Sequence, residues 1–447
     1  MKAERAVGRK GVTLRANKTF FRMKRLLLSL LLAALTGLPA AAQSARAELD
    51  ADLHRSASNY MAYQAPERPK YTKAPAGFRP FYVSTYARHG SRYFTHEDQY
   101  AAPALTLRRA REAGVLSPLG EEVAAAADSL WRLSEGRYGE LTARGAAQHR
   151  GIARRMFENF PEAFEGEALV EARSTTKERC ILSMLNELWE LRGLNPSLRL
   201  RADASARDMI YLHDRHHPAL RYRDNEAARL SADTFAVARV SPQRLMRSLF
   251  TDSAYVNANV DSRALMEQLF RLASGAQNHD FTYDFYKIFT RRECYNLWLH
   301  NNYGWYVGYG PSPLTGGMQP FTQENLLRNI IQTADTVIAS GHAGATLRFG
   351  HDTSLLPLAA LMELGDCAFV CSTPDSVALR WRDYRITPMA ANIQLVFYRK
   401  KKSDEILVKA LLNEQEVTLP VASETAPYYP WEALRRYYLT KLETARR

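Results

Sequence analysis

The sequence predicts an α/β fold with a mostly parallel central sheet flanked by helices, because one pattern of strand, turn and helix occurs three times. Apolar runs at residues 81–87, 168–172 and 345–349 have the length and composition of buried strands. Each run is followed by a few polar residues and then by apolar residues at helical spacing. Strands that alternate with helices form parallel sheets, and such sheets bind ligands at the carboxyl ends of their strands. The residues that follow each strand are therefore the candidates for a functional site.

The amino terminus has the pattern of a secretory signal. Residues 23–25 read Met-Lys-Arg, residues 26–35 are predominantly apolar, and small residues follow up to Ala42. This stretch is too short to span a bilayer and ends in residues suited to signal-peptidase cleavage after Ala42. We expect residues 1–42 to be removed on export, with residues 1–22 being either an extended basic region or a misassigned start. The mature protein is then expected in the periplasm, on the outer surface or in the medium.

The charge of the chain favours a small anionic substrate over nucleic acid. The full chain carries a net charge of +13, and residues 1–42 hold nine Lys or Arg and one acid, so cleavage leaves a net charge of +5. The mature sequence has no lysine run with interleaved aromatic residues, which nucleic-acid binding would favour. No membrane span is expected after cleavage.

Four cysteines follow the signal, at positions 180, 294, 367 and 371. An oxidising compartment would allow one or two disulfides, and the sequence does not choose among the three complete pairings. The single Cys-x3-Cys spacing has no nearby histidines and does not indicate a zinc site. No metal is therefore expected.

The mature chain changes character twice. Residues 43–205 and 321–447 contain the predicted strands and are assigned to two parts of one α/β domain. Residues 206–320 are rich in polar and aromatic residues with little strand alternation, and they are predicted to form a mainly helical insertion. The polar residues 44–80, which precede the first strand, are expected to form a surface loop.

Periodicity and capping residues predict several further elements. Thr142 is expected to cap a helix whose apolar residues recur at every fourth position. Apolar residues on one face predict a second helix over 322–338. Residues 392–398 and 405–412 are predicted to pair as a hairpin at the sheet edge, and residues 431–444 to form a terminal helix.

The seven residues 88–94 after the first strand, Arg-His-Gly-Ser-Arg-Tyr-Phe, carry the strongest chemical information. The guanidiniums of Arg88 and Arg92 can hold phosphate oxygens, and His89 between them can attack phosphorus as a neutral imidazole. Gly90 permits a close approach of the backbone. This cluster predicts a phosphatase that forms a phosphohistidine.

The other two strands end at residues that complete this chemistry. Hydrolysis of a phosphate ester requires neutralisation of the phosphoryl oxygens, a nucleophile in line with the leaving group, and a proton for the leaving oxygen. Asp352, after the third strand, is the predicted proton donor, and His89 is the predicted nucleophile. The residues predicted to bind the phosphoryl group are Arg88, Arg92, Arg173 and His351.

With these residues the chain resembles the histidine phosphatases of the acid phosphatase and phytase branch, which carry R-H-G-x-R-x-P early and H-D or H-A-E late. It is most similar to the multiple inositol polyphosphate phosphatases and their secreted bacterial relatives. The stretches that carry this resemblance are 89–93, 141–148, 173–180 and 355–358. Two positions depart from the pattern. Phe94 replaces the family's proline, and Asp352 gives the acid phosphatase form H-D where the inositol polyphosphate phosphatases have H-A-E.

The resemblance implies a sheet domain with a mainly helical cap inserted between the two motifs, the active site between them, and no cofactor or metal. Cap residues available for additional phosphates are Arg215, Arg221, Arg223, Lys287, Arg291 and Arg292. The favoured function is a secreted phosphomonoesterase acting on inositol polyphosphates such as phytate. A general or sugar-phosphate acid phosphatase and a non-catalytic phosphate-binding envelope protein remain as alternatives. A phosphoglycerate mutase is disfavoured by the signal and by the long insertion.

Overall fold

One eight-stranded sheet organises the fold in the computed structural model, which describes residues 44–66, 71–223 and 225–444. Its strands are β1 (Phe78–Arg88), β2 (Leu169–Ser174), β3 (Arg199–Asp203), β4 (Gly344–Gly350), β5 (Asn392–Lys400), β6 (Ile406–Leu412), β7 (Gln415–Val417) and β8 (Tyr429–Pro430). The order across the sheet is β3-β2-β4-β1-β5-β6-β7, with β8 paired to β6. Strands β3, β2, β4 and β1 are parallel, and the remaining pairs are antiparallel. The predicted α/β class with a central sheet flanked by helices is confirmed, and among the described strands the sheet is mixed, with three parallel and four antiparallel pairs.

Helices connect and cover these strands. Before β2 they are α1 (Ala45–Ala51), α2 (Asp98–Glu112), α3 (Pro118–Ser134) and α4 (Ala143–Asn159), and α5 (Glu178–Leu194) joins β2 to β3. Between β3 and β4 lie α6 (Met209–Leu212), α7 (Glu226–Val237), α8 (Gln243–Leu249), α9 (Ser253–Asn259), α10 (Ser262–Ala276), α11 (Arg291–Tyr309) and α12 (Glu324–Ser340). After β4 come α13 (Asp352–Leu361), α14 (Pro374–Arg380), α15 (Asp383–Ile386) and α16 (Trp431–Thr444).

Several elements agree with the local sequence patterns. The hydroxyl of Thr142 accepts a hydrogen bond from the amide of Gly145 at 3.2 Å, which confirms the predicted cap of α4. Strands β5 and β6 form the predicted antiparallel pair, and α16 is the predicted terminal helix. The predicted boundaries of the helical insertion, at residues 206 and 320, remain a prediction.

Two apolar clusters of described residues hold together the elements around the site. One packs against the sheet and contains Val83, Val170 and Leu347. The other joins α2 and α3 to the helices between β3 and β4, through residues such as Leu107 and Leu269. Helices from before β2 and from after β3 therefore share one apolar cluster.

The expectation of a surface loop over residues 44–80 is wrong for Leu53–Tyr60. These residues form a 3-10 helix in which Ser56, Ala57, Ser58 and Asn59 are buried. No local pattern indicates this burial, because three of the four residues are polar, and the side chains of Ser58 and Asn59 donate to carboxylates far away in the sequence.

Leu49–Arg447 forms one compact unit, which contains the whole sheet. Met1–Glu48 forms a separate unit, of which residues 44–48 are described, so the predicted signal over residues 1–42 lies outside the described residues. All four cysteines lie in the described part and are unpaired, so the structure contains none of the disulfides that the sequence allowed. Within the described ranges, no helix is long and apolar enough to cross a membrane, and no group of three or more His, Cys, Asp or Glu could hold a metal ion.

Candidate active site

Three parallel strands end at the same edge of the sheet and bring the predicted site residues together. Arg88 at the end of β1 lies opposite Gly350 of β4, and Ser174 at the end of β2 lies opposite Phe349. The turns that follow the three strands therefore meet at one edge, as expected for the carboxyl ends of a parallel sheet.

Gly90 is required by the packing of the turn after β1. A Cβ atom at this position would lie 2.5 Å from the carbonyl oxygen of Gly145, in the first turn of α4. A Cβ atom on Gly145 would in turn lie 2.2 Å from the carbonyl oxygen of Ser91. The two glycines let the helix start pack directly on the backbone beside His89.

His89 is buried and has one ring nitrogen free for chemistry. Its Nδ1 lies 2.9 Å from the carbonyl oxygen of Gly90, which can only accept, so Nδ1 carries the proton and Nε2 carries the lone pair. Burial lowers the pKa of His89 well below its ordinary value, and the charges of Arg179, Arg88 and Arg92 lower it further. The imidazole is therefore neutral, which is the state that a nucleophile requires.

Buried guanidiniums surround this imidazole. Arg88 is fully buried, and burial lowers its pKa to about 10. Its Nη1 donates to the carbonyl oxygens of Thr387, at 2.8 Å, and of Asn59. The Nε atoms of Arg88, Arg92 and Arg179 are buried without a hydrogen-bond partner among the described residues. Three donors of this kind beside a neutral imidazole favour binding of an oxyanion.

Arg173 lies beside carboxylates, and in the described part of the chain no contact joins it to His89, Arg88 or Arg92, so its role in binding the phosphoryl group stays a prediction. Its Nε lies 3.6 Å from a carboxylate oxygen of Asp208, and its Nη2 lies 4.0 Å from Glu171. Alternate residues of a strand face opposite sides, so Arg173 shares the side of Glu171, whereas the buried residues of β2 lie on the other side. After β2, it is Arg179, in the first turn of the helix that follows, whose charge lowers the pKa of His89.

Asp352 is the first residue of α13 and is bound by three donors. Nη2 of Arg88 lies 2.7 Å from its Oδ2, the amide of Asn59 donates to the same oxygen at 2.9 Å, and the Thr353 amide donates to Oδ1 at 2.8 Å. Burial by itself would raise the pKa of Asp352, but Arg88 and Asn59 outweigh it, so the pKa lies well below its usual range. The carboxyl group is ionised in the ligand-free protein.

His351 lies beside the same cluster, between two other histidines. Its ring centroid is 5.7 Å from that of His89 and 4.8 Å from that of His213. Nε2 of His351 is 3.3 Å from the hydroxyl of Thr175, and Nδ1 of His213 is 3.1 Å from the hydroxyl of Ser354. Burial, followed by the charges of His213 and Arg179, lowers the pKa of His351 well below its ordinary value. The ring is neutral and can donate one hydrogen bond.

Sequence reasoning missed Asn59, Arg179 and His213 as site residues. A signal for Arg179 was present, because it lies in the first helical turn after a strand, where a side chain reaches the sheet edge. Asn59 and His213 follow no periodic pattern and come to the site through contacts with residues far away in the sequence.

Phe94, which replaces the family's proline, fills a gap in the helical core. Its ring lies 5.2 Å from that of Tyr60, and its amide donates to the hydroxyl of Tyr100 at 2.8 Å. A Cβ atom at position 275 of α10 would lie 2.2 Å from Cζ of Phe94, so the ring requires the glycine found there. Phe94 thus joins the loop that carries His89 to the helices between β3 and β4.

The basic residues proposed for the cap have different surroundings. Lys287 pairs with Glu122, Arg291 donates to the carbonyl of Asp50, and Arg221 lies 4.8 Å from the ring centre of Tyr222. Of the six, Arg215 is the residue whose charge lowers the pKa of a site residue, His213, after the larger effect of burial.

A polar cavity of about 350 Å³ lies beside Asn59 on the side of α10 and α11, and its lining does not include His89 or Asp352. Asn59 and Tyr60 form part of its wall, and the other polar or aromatic lining residues include Gln99, Arg271, His300, Asn301 and Trp305. This volume is within the range of small-molecule pockets, roughly 300–1,000 Å³.

Comparison with known families gives one match that covers most of the chain. The model of the histidine phosphatase superfamily (branch 2) matches residues 82–413. A search of curated protein sequences found no match.

Comparison with solved structures finds similar folds at low sequence identity. The Bifidobacterium longum multiple inositol polyphosphate phosphatase, in complex with inositol hexasulfate, has a TM-score of 0.71 at 20% identity, over 86% of this chain and 97% of that chain. The phytase from D. castellii has a TM-score of 0.65 at 15% identity, over 87% and 84% of the two chains. A Hafnia alvei phytase in complex with tartrate has a TM-score of 0.51 at 15% identity, over 82% and 98%. At these identities the comparisons show a shared fold.

Proposed function

The chain belongs to branch 2 of the histidine phosphatase superfamily, and we propose that it hydrolyses phosphomonoesters through a phosphohistidine at His89, with inositol polyphosphates such as phytate as substrates. One observation carries this proposal. A buried, neutral imidazole with a free Nε2 lies among three guanidiniums, and one of these guanidiniums is paired with the carboxylate of Asp352.

In the first step, Nε2 of His89 attacks phosphorus while Arg88, Arg92 and Arg179 hold the phosphoryl oxygens. A phosphorus–nitrogen bond forms, the bond from phosphorus to the leaving oxygen breaks, and the carboxyl proton of Asp352 passes to that oxygen. His351 donates a hydrogen bond to the phosphoryl group.

In the second step, the carboxylate of Asp352 takes a proton from a water molecule whose oxygen attacks phosphorus. The phosphorus–nitrogen bond breaks, which releases phosphate and returns His89 to its neutral form. Asp352 begins the cycle ionised, so it must gain a proton when the substrate binds. Phosphoryl oxygens on Arg88 place negative charge beside the carboxylate and raise its pKa, which supplies the reason for that uptake.

The choice of inositol polyphosphates is supported by the solved structures of similar fold, which include an inositol polyphosphate phosphatase that binds inositol hexasulfate, and phytases. The form His351-Asp352-Thr353 instead favours a general acid phosphatase, which is the second candidate.

The two candidates differ in how they rank substrates. We expect the full chain to release phosphate from phytate with a kcat/KM above that for glucose 1-phosphate, and to give a stepwise series of lower inositol phosphates over time. A preference for glucose 1-phosphate would favour the general phosphatase. Phosphate release from neither substrate would contradict the proposed reaction and would leave a phosphate-binding envelope protein as the alternative.

Replacing Arg179 and Arg173 in parallel tests which arginine binds the phosphoryl group. We expect Arg179→Ala to lower kcat/KM by about 10²–10³-fold, as the loss of one buried donor does in other enzymes. Arg173→Ala should stay within about threefold of wild type, because the recorded ion pairs of its partly exposed side chain are with Glu171 and Asp208. A larger loss in Arg173→Ala than in Arg179→Ala would show that Arg173 binds the phosphoryl group.

We also propose that the protein is exported, on the basis of the signal pattern in residues 1–42. Protein recovered from outside the cytoplasm is expected to begin at Gln43. Recovery of the full-length chain from the cytoplasm alone would contradict export.

A further inference from the structure

The buried segment Leu53–Tyr60 reaches the predicted proton donor through Asn59. The side chain of Asn59 is 8% exposed, and its Nδ2 lies 2.9 Å from Oδ2 of Asp352. An ionised carboxylate only accepts hydrogen bonds, so the amide nitrogen is the group that faces it. The backbone carbonyl of the same residue accepts from Nη1 of Arg88. Asn59 therefore contacts both members of the Arg88–Asp352 ion pair.

The residues on either side of Asn59 are anchored. Ser58 has φ +60°, in the left-handed region, and its hydroxyl donates to the buried carboxylate of Asp383. The indole of Trp298 in α11 donates to the same carboxylate at 2.9 Å. On the other side, the carbonyl of Tyr60 accepts from the amide of Asn278 at 2.8 Å. These contacts fix the position of Asn59 before a ligand binds.

The contacts of Asp352 change when its partner Arg88 holds a substrate. In the proposed reaction, phosphoryl oxygens compete with the carboxylate for Arg88. Among the described residues, the amide of Asn59 is then the side-chain donor that still holds Oδ2 of Asp352. A donor that favours the ionised carboxyl also stabilises the state formed when Asp352 gives up its proton.

We propose that Asn59 is a positioning residue for proton transfer, which holds the carboxyl of Asp352 in place while its proton passes to the leaving oxygen. This inference rests on the proposed function. In this role Asn59 contacts Asp352 and does not touch the reacting atoms. Its effect on the first step is confined to substrates whose leaving group must be protonated, because in the second step Asp352 acts as a base on water for every substrate.

Two substrates separate this role from a general structural one. The leaving group of p-nitrophenyl phosphate departs as a stable anion, whereas the alkoxide of glycerol 2-phosphate requires a proton. We expect Asn59→Ala to lower the single-turnover rate of leaving-group release, which reports the first step alone, by about 10–100-fold on glycerol 2-phosphate and to leave that rate on p-nitrophenyl phosphate within about threefold. Ser56→Ala is the matched control, because Ser56 is a buried polar residue of the same segment that bonds to the Leu53 carbonyl. Its ratio of the two rates should equal that of wild type.

A second variant keeps the side-chain volume and reports through the pH profile. In Asn59→Asp, the added carboxylate raises the pKa of Asp352, so the alkaline limb of the kcat profile on glycerol 2-phosphate should move up by about one pH unit. The inference is overturned if either folded variant lowers the rates on the two substrates equally. It is also overturned if neither variant changes the ratio of these two rates or the position of the alkaline limb of the pH profile. Absence of any phosphate release by the wild type would instead count against the proposed function, so the two failures are distinguishable.

Discussion

The His89→Ala variant is expected to release phosphate from any monoester at less than about 1/10,000 of the wild-type rate, a loss of about 5.5 kcal/mol in transition-state stabilisation. The remaining guanidiniums can still bind the phosphoryl group, but no other group can form the bond that His89 forms through its free Nε2. Binding should persist while turnover disappears. The measurement is phosphate release under single-turnover and steady-state conditions.

His96→Ala provides the matched control for this variant. His96 is an exposed histidine in the same loop region, and its recorded hydrogen bond is made by the backbone amide. It should turn over at the wild-type rate. Rapid mixing of the wild type with substrate and an alkaline quench should also yield a phosphorylated histidine that His89→Ala lacks. Retention of even a hundredth of wild-type turnover by His89→Ala would show that another group is the nucleophile.

The Asp352→Asn variant should lose about 10²–10⁴-fold in the single-turnover rate of leaving-group release from glycerol 2-phosphate, and far less from p-nitrophenyl phosphate, because this rate reports the first step alone. Asparagine keeps the shape of the side chain but cannot supply the proton, so the size of the loss depends on the leaving group. An equal loss on both substrates would indicate that Asp352 acts by orienting Arg88 rather than as the proton donor.

The pKa of Asp352 gives this variant a second readout. The pKa is lowered in the ligand-free protein, so the carboxyl group is charged there, and an anion on Arg88 favours its protonation. Proton uptake on binding means that an anionic ligand binds more tightly as the pH falls. Inositol hexasulfate is a suitable probe because its sulfates do not titrate between about pH 4 and 7. We expect its affinity to rise toward acid pH in the wild type and to depend less on pH in Asp352→Asn. Identical pH dependence in the two proteins would argue against proton uptake by Asp352.

Arg173 and Arg179 show where sequence reasoning stops being sufficient. Both follow the apolar run of β2 closely, and both carry the charge that a phosphoryl group requires. The distinction depends on the direction of each side chain, which the alternation of the strand and the phase of the helix start determine.

Features that depend on neighbouring residues could be predicted from the amino-acid sequence. The apolar runs of β1, β2 and β4, the cap at Thr142 and the order of His89 and its flanking arginines follow from local hydrogen bonding and side-chain alternation, which a few adjacent residues specify.

The distant residues that complete the site could be identified only from the packing of the folded chain. Asn59 and Asp352 are 293 positions apart, and Phe94 fills the space left by a glycine in α10. Contacts of this kind have no local pattern, because they form only when the packing of the whole chain offsets the entropy of closing long loops. For this reason the polar segment before β1 resembled a surface loop in the sequence, yet it lies buried against the predicted proton donor.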